Sequence, residues 1–165
     1  MKKLLFILLL TPFIVSAQCV TKKDSITGRV TIEGTARLGP GTLNLRAPKL
    51  YFTKQDSSFA IGFEYIAPQS REEDFDFKRM RLLVKFEDGT IKRYPAGALS
   101  GFGGERGRRT FVFQAAMSYA DVLYFRDFNV TFMRLSLDGD ESRGQEPSLG
   151  ENASLKIKRA AACVQ

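Results

Sequence analysis

The chain is 165 residues long, carries 25 Lys+Arg against 18 Asp+Glu for a formal net charge of +7, and contains no histidine. A Ser-His-Asp or Cys-His catalytic site is therefore excluded, as is a zinc site built on imidazole. Neither a GxSxG elbow nor a GxxxxGK[ST] phosphate loop occurs, and nothing in the sequence calls for a cofactor or metal.

Residues 1–17 read as an export signal. Lys2 and Lys3 form a positive start, "LLFILLL" forms a short apolar run, Thr11 and Pro12 break it, and Val15 and Ala17 fit the small-residue cleavage pattern. The run ends at Val15, short of the roughly 18 to 20 apolar residues that cross a bilayer. Cleavage after Ala17 predicts a single mature domain, residues 18–165, located in the periplasm or outside the cell, with no transmembrane segment. Gln18 stands where lipidation of Cys19 would want Gly, Ala or Ser, which argues against a lipoprotein. Loss of Lys2 and Lys3 lowers the net charge from +7 to +5.

The two cysteines, Cys19 and Cys163, lie at opposite ends of the mature chain. In an oxidising compartment two thiols pair and persist, so a disulfide joining head to tail is expected. Free thiols and pairing between chains are the alternatives.

Strand patterns follow in chain order. "ITGRVTI" (26–32), "TLNL" (42–45) and "KLYFTK" (49–54) read as short strands. In "SFAIGFEYI" (58–66), Phe59, Ile61, Phe63 and Tyr65 alternate with Ala60, Gly62 and Glu64, the pattern of a half-buried strand. "REEDFDF" (71–77) gathers Glu72, Glu73, Asp74 and Asp76, a composition that serves carboxylate catalysis or calcium binding but more often a solvated loop. "RMRLLVKFEDGTIKRY" (79–94) puts Met80, Leu82, Val84 and Phe86 on one face before a hairpin turn at Asp88-Gly89.

"PAGALSGFGGERGRR" (95–109) reads as a glycine-rich loop carrying Arg106, Arg108 and Arg109. Glycine backbone exposes amides to an anion, and clustered guanidiniums bind phosphate or carboxylate in bidentate fashion. A plain connection between strands has the same composition. "TFVFQAAM" (110–117) continues the strands. "SYADVLYFRDF" reads as a short helix near 118–126, capped by Ser118 with Asp121 three residues on, and "FNVTFMRLSL" as a strand ending at Asp138-Gly139. "DGDES" adds Asp138, Asp140 and Glu141, calcium-like in composition but without the full ligand loop. Ser148 and Glu151 have capping-box spacing, which with Leu149, Ala153, Ile157, Ala160, Ala161 and Val164 predicts a C-terminal helix near 149–163; residues 153–158 read alternatively as an edge strand.

The fold expected is thus mostly β (α+β), an antiparallel β-sandwich or curved sheet with two short helices. The "SAQ" cleavage site, the central "FEDGT" hairpin, the capped helix before a late strand and the terminal Cys together resemble small secreted β-sandwich domains of bacterial envelope proteins. The resemblance implies that fold and location and carries no activity or site residue.

Charge is unevenly spread: residues 78–110 hold nine basic and three acidic side chains, residues 51–77 two and six. That separation suits an anionic partner such as a polysaccharide or lipid head group, or another envelope protein; no nucleic-acid motif occurs. The expectation is a non-catalytic binding or structural module. Its rivals are a carboxylate-dependent glycan hydrolase and a secreted inhibitor or effector that binds protein through a sheet edge.

Overall fold

Alternation decides which face of each strand is buried. The computed structural model describes residues 18–39, 48–68, 79–102, 108–136, 139, 144, 146–150 and 152–165. Its elements are β1 (Gln18–Lys23), β2 (Val30–Arg37), β3 (Lys49–Gln55), β4 (Ser58–Pro68), β5 (Arg81–Phe86), β6 (Ile91–Pro95), β7 (Ala98–Phe102), β8 (Arg108–Met117), α1 (Tyr119–Asp127), β9 (Val130–Ser136) and α2 (Ala153–Ala162). They form a six-stranded antiparallel sheet, ordered β1-β2-β3-β4-β8-β7, and a three-stranded one, β6-β5-β9. The export segment and "TLNL" lie outside the described residues.

On the large sheet Leu50 and Phe52 of β3, Ile61 and Phe63 of β4, and Phe113, Ala115 and Met117 of β8 turn inward. From the small sheet Leu82, Val84 and Phe86 of β5, Met133 and Leu135 of β9 and Tyr94 of β6 meet them in one contiguous core. Each such side chain taken from water contributes roughly 1.5 to 3 kcal/mol. Two short helices complete that core, α1 with Val122 and Phe125 and α2 with Ile157, Ala160 and Ala161. Phe125 is the hub: its ring lies 5.0 Å from Phe52, 5.1 Å from Phe86 and 6.1 Å from Tyr94.

Helix α1 starts as its sequence predicts. Ser118 caps Asp121 N–H at 3.1 Å, and the Asp121 carboxylate accepts the Ser118 N–H at 3.0 Å, a complete capping box. The C-terminal helix starts later than the Ser148/Glu151 spacing predicts. Gly150 N–H is taken by the Leu38 carbonyl at 2.8 Å, which ties the chain before the helix to the end of β2. The helix therefore begins at Ala153, with Asn152 in the left-handed region (φ 65°) and no side-chain cap. Residues 153–158 are helical, not an edge strand.

Two strands carry no apolar alternation in the sequence. Both are edges of the large sheet, β1 and β7, where a strand is held by pairing on one side. The hairpin of β5 and β6 turns through Glu87, Asp88 and Gly89, closed by Phe86 N–H to Thr90 O at 2.9 Å, and only Gly89 takes positive φ (86°).

Cys19 and Cys163 form a disulfide with Cα atoms 5.5 Å apart and 144 residues between them in sequence. It joins β1 to the end of α2. Cys19 pairs across the ladder with Gly34 of β2, and a Cβ built on Gly34 would stand 2.0 Å from the Ala160 carbonyl oxygen and 3.0 Å from Cys163 Cβ. Helix α2 thus rests directly on the β2 backbone, an approach that only glycine allows.

Candidate functional site

Strand directions divide the large sheet into two ends. Because β1 pairs antiparallel with β2 and the ladder continues through β3, β4, β8 and β7, the β1–β2 and β3–β4 turns share one end with the start of α1. The β7–β8 connection and the exits of β2 and β4 share the other. The strands β1 and β7 are also opposite edges, five inter-strand gaps or roughly 24 Å apart. The chain's two basic features fall at opposite corners.

At the far corner stands the arginine segment. Residues 95–109 are not a single loop: β7 occupies 98–102 and β8 begins at Arg108. Arg108 pairs with Pro68 and Arg109 with Ala67 in the β8–β4 ladder, whereas Arg106 lies outside the described residues. Glycine-rich composition hid β7, because Ala98–Phe102 needs only the neighbouring β8 to hold it. The acidic run of Glu72, Glu73, Asp74 and Asp76, and the trio Asp138, Asp140 and Glu141, also lie outside the described residues.

On the outer face at the same end, Lys49 and Glu64 are direct cross-strand partners joined by an ion pair of 3.0 Å. Tyr51 lies over Gly62, where a Cβ would stand 3.5 Å from Tyr51 Cβ, and its hydroxyl donates to the same Glu64 carboxylate. Burial, then the hydrogen bond to Glu64 and its charge, raise the Tyr51 phenol above its ordinary range. It stays a proton donor. The trio satisfies its own donors and acceptors, which makes it a cross-strand brace.

A second polar cluster surrounds α1. Lys92 pairs with Asp121 and sits 4.3 Å above the Tyr124 ring. The Tyr124 hydroxyl donates to Asp88 and lies 2.9 Å from Thr90 Oγ1. Asn129 donates to Glu87 through its backbone N–H at 2.9 Å and its side chain at 2.7 Å. The Tyr94 hydroxyl is buried beside Asp121 without a hydrogen bond of ordinary geometry among the described residues. Burial raises its ionisation far above the usual phenol range.

The ionisation of the carboxylates bears on chemistry. Glu87 is held below its usual range by the Asn129 backbone and side-chain hydrogen bonds, and Asp88 by Tyr124 and Thr90. For Asp121 burial pushes upward, but hydrogen bonds from Lys92 and Ser118 outweigh it and the net shift is down. A general acid needs the opposite displacement. Glu33 and Glu64, the acids on the outer face, sit two strands and four residues apart, roughly 16 Å at the backbone, well outside the spacing of a glycosidase pair. Among the described residues no group of three or more acidic, Cys or His side chains is arranged to hold a metal ion.

At the near corner the β1–β2 hairpin projects. All six residues of β1 are exposed, and Ile26 at its tip is 94% exposed, the most exposed of the large apolar side chains described. The tip is ordered by Asp24, whose Oδ1 accepts the N–H groups of Ile26 at 2.8 Å and Thr27 at 2.7 Å, while Gly28 takes φ 69°. Those backbone hydrogen bonds hold the Asp24 carboxyl below its usual range. The Lys23 and Arg29 side chains are exposed beside the tip with no ion pair among the described residues, and Lys22 pairs with Glu33 at 3.3 Å. Read from sequence, "ITGRVTI" looks like a strand starting at Ile26. The signal for the tip was "DSITGR", an Asp two residues before an Ile with a Gly following.

The chain matches no family model, no curated protein and no solved structure. No described helix is long and apolar enough to cross a membrane.

Proposed function

We propose that the protein is an exported, non-catalytic binding module of the bacterial envelope or extracellular space, recognising an anionic ligand through Arg106, Arg108 and Arg109. Export is supported by the signal-like residues 1–17 together with the Cys19–Cys163 disulfide, which persists in oxidising compartments. The observation that carries the ligand reading is the β8–β4 register. It fixes the backbone of Arg108 and Arg109 as consecutive strand residues, which belong to opposite faces of the sheet's end, so the ligand it suits is an extended polyanion reaching around that end and not a single phosphate. Glu87, Asp88 and Asp121, whose carboxyls are held low by their hydrogen bonds, are poor general acids.

Replacing Arg106, Arg108 and Arg109 together by Gln tests this. The triple variant is expected to elute from an anionic resin, and to leave envelope fractions, at clearly lower salt than the parent. Unchanged retention overturns the arginine site. A second reading, protein binding through a sheet edge, is favoured by one observation: β1 is exposed along all six residues and paired only with β2. Pull-down of a single stoichiometric partner, lost when proline replaces Thr21, supports that reading.

A further inference from the structure

We propose that the β1–β2 hairpin is a membrane-docking wedge, which places Ile26 among the acyl chains of an anionic lipid surface. The site is at the opposite end and edge of the sheet from the arginines, so it stands or falls apart from them.

Three features of the corner point to a bilayer. The first is shape: the tip is convex, and Ile26 extends from it with 94% of its surface open, which leaves it nothing of the chain to pack on. A fixed turn keeps it there, since Asp24 accepts both the Ile26 and Thr27 N–H groups. The ordering cost of inserting a flexible loop is thereby largely met in the fold.

The second is layering. Register sets Thr21, Ile32, Lys54, Phe59 and Met117 side by side in one row across five strands, on the inward side near this end. Above the row, Lys23 pairs with Val30, which is 42% exposed, and Arg29 follows; above them, on the order of 10 Å beyond the row, comes Ile26. Level with the row, the Lys54 ammonium lies 5.7 Å over the Phe59 ring, and Phe59 contacts Tyr119, which is 48% exposed. An aliphatic tip, then cations on long stems, then an exposed tyrosine is the order in which a bilayer offers acyl chains, phosphates and the water interface.

The third is charge. Lys23 and Arg29 are the cations beside the tip, with Lys22 and Lys54 behind them. Against them stand Asp24, engaged in the turn, Glu33, paired with Lys22, and Asp56 in the neighbouring β3–β4 turn. The cations nearest Ile26 therefore face outward with one carboxylate between them, and that carboxylate is directed into its own backbone.

The protein has no tryptophan, so Ile26→Trp installs a single reporter at the tip. With mature protein and vesicles of phosphatidylcholine containing phosphatidylglycerol, its emission is expected to shift to the blue and to be quenched by acyl-brominated lipid. Pure phosphatidylcholine vesicles are expected to give little of either. In co-sedimentation with the anionic vesicles, Ile26→Asp should lower the bound fraction by about ten-fold or more. Lys23→Gln combined with Arg29→Gln should lower it by about five-fold per charge removed, while Lys85→Gln, at an exposed cation of the small sheet, leaves it as in the parent. No blue shift with anionic vesicles overturns the proposal. So does an equal shift with neutral ones, or a shift that requires an added protein. Because Ile26 and both cations are exposed, an unchanged unfolding curve separates lost docking from lost structure.

Discussion

Two hairpins of this molecule each use an Asp that accepts turn N–H groups and a glycine at positive φ, and they differ in their means of support. In β1–β2, Asp24 accepts the N–H groups of Ile26 and Thr27, and Gly28 takes φ 69°. In β5–β6, Asp88 accepts the Thr90 N–H and hydroxyl at 2.9 Å each, and Gly89 takes φ 86°. From the turn outward the two diverge. The β5 strand buries Leu82, Val84 and Phe86, and its turn is covered by α1, whose Tyr124 ring lies 4.9 Å from Phe86. The β1 strand buries nothing and is exposed throughout. Turn chemistry makes a hairpin, but core packing holds β5 in the one, whereas in the other β1 is held by its ladder to β2 and by the disulfide. Many small contacts fail gradually; a clamp fails at one point.

Breaking the clamp is the largest effect expected. Replacing Cys19 and Cys163 by Ser releases a loop of 144 residues, which in the chain-entropy model costs about 4 to 5 kcal/mol, an upper value for measured disulfides. The comparison becomes sharper in amide exchange. Amides of β1 and of its pairing to β2 should exchange early by local opening, whereas those of β5 should still open only with global unfolding. Equal acceleration in both hairpins would show that the disulfide acts on the whole fold alone, and that β1 is held by pairing without it.

The glycine under the clamp comes next. A Cβ at position 34 would meet the Ala160 carbonyl oxygen at 2.0 Å and its carbon at 2.8 Å, both backbone atoms that a rotamer change cannot move. Gly34→Ala must therefore lift α2 from β2, at about 3 kcal/mol, the upper part of the range for overpacked cores. Gly62, whose nearest contact would be 3.4 Å, is the control: Gly62→Ala should cost much less. Urea midpoints of the two variants under oxidising conditions check the difference. Similar losses at both positions would mean that α2 shifts freely.

What the sequence reveals follows the same division. The packed half is legible because burial writes a pattern: Met80, Leu82, Val84 and Phe86 alternate, and all four are buried. The Ser118 capping box is equally visible, since its two partners are three residues apart. The strands β1 and β7 leave no such trace, because an edge strand is specified mainly by its neighbour. Nor does "TIEGTAR" announce that Gly34 sits under a helix more than a hundred residues later in the chain. The disulfide was inferable from compartment and count, yet the glycine it depends on was not. The late start of α2 escaped for a related reason, since Gly150 is engaged by Leu38, a contact between distant segments that capping-box spacing does not encode. Of the arginine segment, the sequence supplies the residues and the fold supplies the ladder that positions Arg108 and Arg109.

The smallest effect tests the packed hairpin, and its sign depends on pH. Asp121 caps α1, pairs with Lys92 on β6 and so joins the helix to the β5–β6 hairpin. Its folded carboxyl is held below the ordinary value of 3.8, since the Lys92 and Ser118 hydrogen bonds outweigh the upward push of burial. A group depressed on folding stabilises above its unfolded value and loses that contribution as the pH falls through the folded one. Asp121→Asn should therefore cost about 1 to 2 kcal/mol near neutrality, the usual range for a lost cap and charged hydrogen bond. The gap between parent and variant should narrow as the pH drops below about 4, where the unfolded carboxyl takes a proton, and close once the pH passes the lower folded value. Urea midpoints at pH 7 and pH 3 measure the gap directly. A gap that persisted unchanged at pH 3 would mean that the carboxylate's shape, and not its charge, secures the helix.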